Sequence, residues 1–136
     1  MIEAINIALD GVAAYRVIFI CCGQQEGQPV VTELRGSKLF PWLWDLNCDQ
    51  SDIDAISTIP SDKDFGVGVV NGRGPVAESP EQVAGGIRKM RDVIPSERLM
   101  VYTDCTLTGI KHIVAKRKIE AIVAGPALVR AELCGN

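Results

Sequence analysis

Residues 65–103 decide the fold. Phe65-Gly66-Val67-Gly68-Val69-Val70 is followed by the turn-rich Asn71-Gly72-Arg73-Gly74-Pro75. Ser79-Pro80-Glu81-Gln82 comes next, and then Leu99-Met100-Val101-Tyr102-Thr103. The first run is apolar and β-branched, with glycine at alternate positions, and reads as a strand. Ser79 is a natural N-cap, Pro80 suits the first helical position and Gln82 completes a capping box. The helix opened there runs to about Val93 and stops before Pro95. Leu99 to Thr103 reads as the next strand. Strand, helix, strand with no hairpin signal between them is a parallel α/β unit.

Working outward, residues 2–12 read as a helix closed by Gly11. Arg16 to Cys22 reads as a strand buried on both faces, as in a parallel sheet. Gly23 to Gly36 is a Gln- and Gly-rich loop. Lys38 to Asn47 reads as a short helix, with Ser37 as its N-cap and Pro41 in its first turn. Trp42 and Trp44 would then anchor different sides of it. Ile53 to Ile59 reads as a strand stopped by Pro60. Its link to Phe65 is too short for the helical crossover that a parallel pair needs. From about Gly109 the chain reads as a helix that Gly125-Pro126 should kink or break. The expected class is therefore α/β, with about four mainly parallel strands and flanking helices.

The chain has 136 residues, which fits one domain spanning 1–136. Hydrophobic residues make up 47% and charged residues 23%, a globular balance that argues against disorder. The formal net charge of −3 gives no basic surface for nucleic acid or an anionic membrane. No apolar run approaches the roughly 20 residues of a spanning helix. The N-terminus has no basic stretch and carries Glu3 early, so a cytoplasmic protein is expected.

Five cysteines, an odd number, argue against a disulfide framework. Cys21 closes the first strand and Cys105 follows the last. Parallel α/β folds place ligands at the C-terminal ends of their strands, so these two thiols are the candidate metal ligands, with zinc the natural metal. Buried small apolar side chains are the plainer reading of each cysteine. Gly66, Gly68, Gly72 and Gly74 do not have dinucleotide-fingerprint spacing and read as close backbone neighbours and a turn. His112 is the only histidine and reads as a surface residue. Lys116-Arg117-Lys118 reads as a solvated helix face.

The run from Glu78-Ser79-Pro80-Glu81-Gln82, through Ile94-Pro95-Ser96-Glu97-Arg98-Leu99, to Thr103-Asp104-Cys105 resembles the C-terminal region of cobalamin-independent methionine synthase. Phe65 to Arg73 looks like that family's preceding strand. Arg16 to Cys21 looks like its strand with a His-x-Cys pair. The resemblance implies the second half of a TIM-type barrel. It implies methyl transfer from a methylfolate to the homocysteine thiol, with zinc held by one His, two Cys and one Glu. The two family cysteines fall on Cys21 and Cys105. The histidine falls on Phe19 and the glutamate near Ser57, so half of that ligand set is absent. The family's Cys-Gly is Cys105-Thr106 here, and its Asp-Glu-Pro motif belongs to the half of the barrel that these residues do not cover. A half-barrel leaves sheet edges and an apolar inner face uncovered. The resemblance therefore implies a homo-oligomer or a complementary half-barrel chain. A zinc-dependent methyltransferase, incomplete by itself, and a non-catalytic assembly or partner-binding module are the two functional readings.

Overall fold

A computed structural model describes residues 2–13, 16, 18–20, 36–39, 42–44, 54, 57 and 64–135. The order of elements is α1 (Ile2–Ala8), β1 (Ile18–Ile20), β2 (Trp42–Trp44), β3 (Phe65–Val70), α2 (Pro80–Arg91), a 3-10 turn (Ser96–Arg98), β4 (Leu99–Thr103) and α3 (His112–Cys134). The strands form a parallel sheet in the order β1-β2-β3-β4. This is the α/β class expected from the sequence.

The unit β3–α2–β4 forms as its local signals dictate. Ser79 Oγ accepts the Gln82 N–H while Gln82 Oε1 accepts the Ser79 N–H, at 3.2 and 2.7 Å. Two N–H groups that the first helical turn leaves orphaned are thereby satisfied. Val83, Ala84, Ile87 and Met90 then fall on one buried face of α2. Phe65 and Val67 pack with Leu39, Met90 and Ile94 in one cluster. Val70 packs with Val83, Ala84, Ile87, Ala121 and Val129 in a second. β3 is buried along nearly all its length, as a strand covered on both faces of a parallel sheet must be.

Three expectations are corrected. Trp42–Trp44 is strand β2, paired in parallel with β1 and β3, and not part of a helix, so Ser37 caps none. The Pro at 41 and two aromatics suit a strand start as well as a helix start, and pairing on both sides decides between them. Asp54 and Ser57 are helical, where a strand was expected, and Ser57 Oγ donates to the Asp54 carbonyl at 2.7 Å. With Asp54 and Ser57 helical, the link from a strand at 53–59 to β3, too short for a parallel pair, no longer has to be explained. Finally, α3 continues through Gly125-Pro126 without a break. Pro126 removes one helical hydrogen bond, but both residues are buried, Gly125 against Val83 of α2. An ideal Cβ on Gly125 would lie 2.5 Å from Val83 Cγ1. The two helices approach that closely only because glycine stands there.

α1 ends at Ala8, short of the expected 2–12, and Gly11 lies in the left-handed region at φ +73° in the turn that follows. Arg88 on α2 bridges to Glu81 at 2.6 Å and to Glu132 on α3 at 2.5 Å. Hydrogen bonds from Arg88 hold the Glu132 carboxyl below the usual carboxylate range. Among the described residues no helix is long and apolar enough to cross a membrane.

Candidate functional site

The site lies where β3 and β4 end. β3 runs out into Asn71-Gly72-Arg73-Gly74. Asn71 Oδ1 accepts the N–H groups of Arg73 and Gly74, at 2.9 and 2.8 Å, which folds the turn on itself. β4 runs out into Asp104-Cys105. The Asp104 N–H donates to the Val70 carbonyl at 2.9 Å, and its Oδ1 accepts the Gly72 N–H at 2.6 Å. The two strand ends are thus locked together by both the main chain and the side chain of Asp104.

The glycines make this approach possible. A Cβ on Gly68 would lie 2.6 Å from Asp104 Cα, and one on Gly72 would lie 2.3 Å from the Cys105 carbonyl oxygen. Neither space admits a side chain. Gly68 and Gly72 are therefore close backbone neighbours at the strand ends, the role expected of the cluster.

Cys105 is buried, with 7% of its surface exposed. Arg73 Nε donates to its sulfur at 3.3 Å. Behind the turn lies Glu78. One of its oxygens accepts the Asn71 N–H and the other the Lys118 ammonium, each at 2.9 Å. Lys118 also donates to the Val76 carbonyl at 2.6 Å and has no exposed surface. Burial pushes the Glu78 carboxyl up, but the hydrogen bonds from Lys118 and from the Asn71 N–H outweigh it and hold it below its ordinary value. A cleft of about 560 Å³ opens beside this pair, between residues 75–80 and the Arg117 and Glu120 side of α3.

Lys118 corrects the sequence reading of a solvated Lys116-Arg117-Lys118 face. The first two are exposed and the third is fully buried. The buried positions of α3 are 118, 121, 125, 126 and 129. That helical stripe was readable, and Lys118 lies on it. His112 is exposed at the start of α3, as expected. Cys134 is exposed at its end. Cys21, Cys22 and Cys48 lie outside the described residues, so the proposed meeting of Cys21 with Cys105 does too.

The described residues do not by themselves fit the zinc that the resemblance implies. Among the described residues no three His, Cys, Asp or Glu side chains come together as a metal site. Phe19 has no donor atom to replace an imidazole, and Ser57 offers a neutral hydroxyl in place of a carboxylate. At Cys105 the nearby group is a guanidinium, which brings positive charge to the sulfur where a divalent cation would have to sit.

Comparison with known proteins agrees with the fold. A family model described as "Cobalamin-independent synthase, Catalytic domain" matches residues 44–126. The methionine synthase of Saccharolobus solfataricus is 31% identical over 133 residues, covering 97% of this chain and 40% of that protein. The 2-hydroxypropyl-CoM lyase of Xanthobacter autotrophicus is 26% identical over 170 residues, covering 97% of this chain and 45% of that protein. The solved structure of a B12-independent methionine synthase from Shewanella sp. W3-18-1, in complex with selenomethionine, matches with a TM-score of 0.87. It is 22% identical and covers 99% of this chain and 44% of that one. The chain thus spans less than half the length of these relatives.

Proposed function

The chain belongs to the cobalamin-independent synthase family, catalytic domain, and from this we propose that it is a half-barrel forming one wall of a thiol-methylating site, incomplete by itself. The reaction in view is methyl transfer from a methylfolate to the homocysteine thiol. Four parallel strands adjacent in chain order, with α2 between β3 and β4, support the half-barrel reading. A closed barrel of this type takes about 250 residues. The open edges of β1 and β4 would then be met by a second copy of the chain or by a complementary half.

The observation that carries the proposal is Cys105, buried at the end of β4 where a family cysteine is expected, with Arg73 Nε donating to its sulfur. The chain's own residues do two things in this reading. The Asp104–Gly72 lock fixes the strand ends, and the Glu78–Lys118 pair behind them holds the turn through the Asn71 N–H. Transfer itself needs groups beyond those that the described residues bring together. Phe19 favours the non-catalytic assembly reading in its turn, since it removes a ligand outright.

The test combines elemental mass spectrometry, sedimentation and a methyl-transfer assay on untagged protein purified without chelator. The expected result is a self-associated protein at micromolar concentration, with zinc well below one per chain and no homocysteine methylation. Zinc near one per chain, lost in Cys105→Ser and accompanied by turnover, overturns the proposal and makes the chain a complete enzyme. A well-folded monomer overturns the pairing. Turnover that returns when a first-half chain is mixed in decides against the purely structural reading.

A further inference from the structure

A buried ammonium is costly unless it is fully partnered, and an apolar residue of similar length would often hold the same helix at least as well. Lys118 therefore needs a reason beyond packing. Its nitrogen reaches Glu78 at 2.9 Å and the Val76 carbonyl at 2.6 Å. Glu78 receives the Asn71 N–H at 2.9 Å. Asn71 receives the Arg73 and Gly74 N–H groups, and Arg73 reaches the Cys105 sulfur at 3.3 Å. The contacts form an unbroken series from the second turn of α3 to the buried thiol at the end of β4. They also tie both ends of the 71–78 segment, one through Asn71 and the other through Val76 and Glu78, to one point on a rigid helix.

We propose that Lys118 is a positioning residue for the strand-end site, acting through Glu78 and Asn71 to hold the turn that carries Arg73 onto Cys105. The proposal rests on the reading of that strand end as the functional one. It concerns the order of the turn, and neither metal content nor turnover enters its test.

The experiment is iodoacetamide alkylation of the whole folded protein, resolved cysteine by cysteine through peptide mass spectrometry. Lys118→Met removes the donated hydrogen bonds and keeps an unbranched side chain of similar length. The expected result is Cys105 alkylated at least about tenfold faster, as the turn opens locally, with the rate at exposed Cys134 unchanged. A merely structural lysine would expose Cys105 only through global unfolding, in proportion to the measured loss of stability. Lys118→Met that folds and leaves the Cys105 rate at the wild-type value overturns the proposal. So does an increase fully accounted for by the shift in unfolding equilibrium. Should Lys118→Met fail to fold, Glu78→Gln carries the same expectations. A chain that proves to be a zinc enzyme would sink the functional reading above and leave this result standing.

Discussion

Gly85 and Gly125 each stand inside a helix, yet the same substitution should move stability in opposite directions. Alanine is the better helix former by about 0.5–1 kcal/mol, because glycine loses more backbone freedom on folding. At Gly85 on α2 a new Cβ meets nothing within 4 Å, so Gly85→Ala should realise that gain. At Gly125 on α3 the Cβ would lie 2.5 Å from Val83 Cγ1, 2.6 Å from Val83 Cβ and 3.0 Å from the Pro80 carbonyl oxygen. Carbon atoms rest at about 3.5–4.0 Å, so roughly an ångström must be found on each of the two contacts with Val83. Val83 cannot supply it by changing rotamer, since its own Cβ is among the clashing atoms and moves only with the backbone of α2. The helices must separate, at an overpacking cost of about 1–3 kcal/mol. Set against the propensity gain, Gly125→Ala should still lose about 1–2 kcal/mol.

Urea unfolding followed by circular dichroism, at one fixed protein concentration, measures both variants. The double variant with Val83→Ala sharpens the test. It deletes Cγ1 and keeps Cβ at 2.6 Å, so it should recover only part of the loss caused by Gly125→Ala. The reasoning is refuted if both glycine variants shift the midpoint in the same direction, or if Val83→Ala restores Gly125→Ala completely.

Two further predictions concern the strand-end site. The Glu78 carboxyl is depressed in the folded protein, so its contribution is fully present above the ordinary value of 4.5 and is lost as pH falls through its folded value. The stability difference between wild type and Glu78→Gln should therefore be largest near neutral pH and shrink on acidification, as read from urea midpoints at each pH. Gly72→Ala should destabilise by about 3 kcal/mol or more, since a Cβ 2.3 Å from the Cys105 carbonyl oxygen meets main chain that cannot rotate away. Thermal unfolding checks it, and an unshifted midpoint would mean that the strand ends are not locked as described.

How much could be read beforehand follows from where each signal lay. The capping box at Ser79 and the β-branched run of β3 act through residues within a turn or two of each other, so the sequence alone displays them. β2 is three residues long and is defined by neighbours on both sides, which no local window contains. The helical residues Asp54 and Ser57 had a readable signal that composition hid. Ile53, Ile56 and Ile59 recur at the helical spacing of three, yet their β-branching suggested a strand. The topological objection to that strand was the sounder guide, because chain connectivity constrains parallel sheets more strictly than propensity does.

The site shows the same division, with α3 as its hidden determinant. Cys105 and the glycines at 68 and 72 could be picked out because strand ends and glycine spacing are local. Arg73 could not be assigned to the sulfur, since the two are joined only by the pairing of β3 with β4. Lys118 looked like one of three neighbouring charges. Its register with Ala121, Gly125 and Val129 was the contrary evidence, because a cation on a buried stripe must find an acceptor. That acceptor, Glu78, is forty residues away, so the need was legible and its fulfilment was not. The buried stripe then gives α3 two duties on one face. Gly125 sets how near the helix lies to α2, and Lys118 converts that nearness into the position of the 71–78 segment. Widening the helix contact at Gly125, two turns along α3 from Lys118, should therefore also speed alkylation of Cys105 without touching any residue of the site itself.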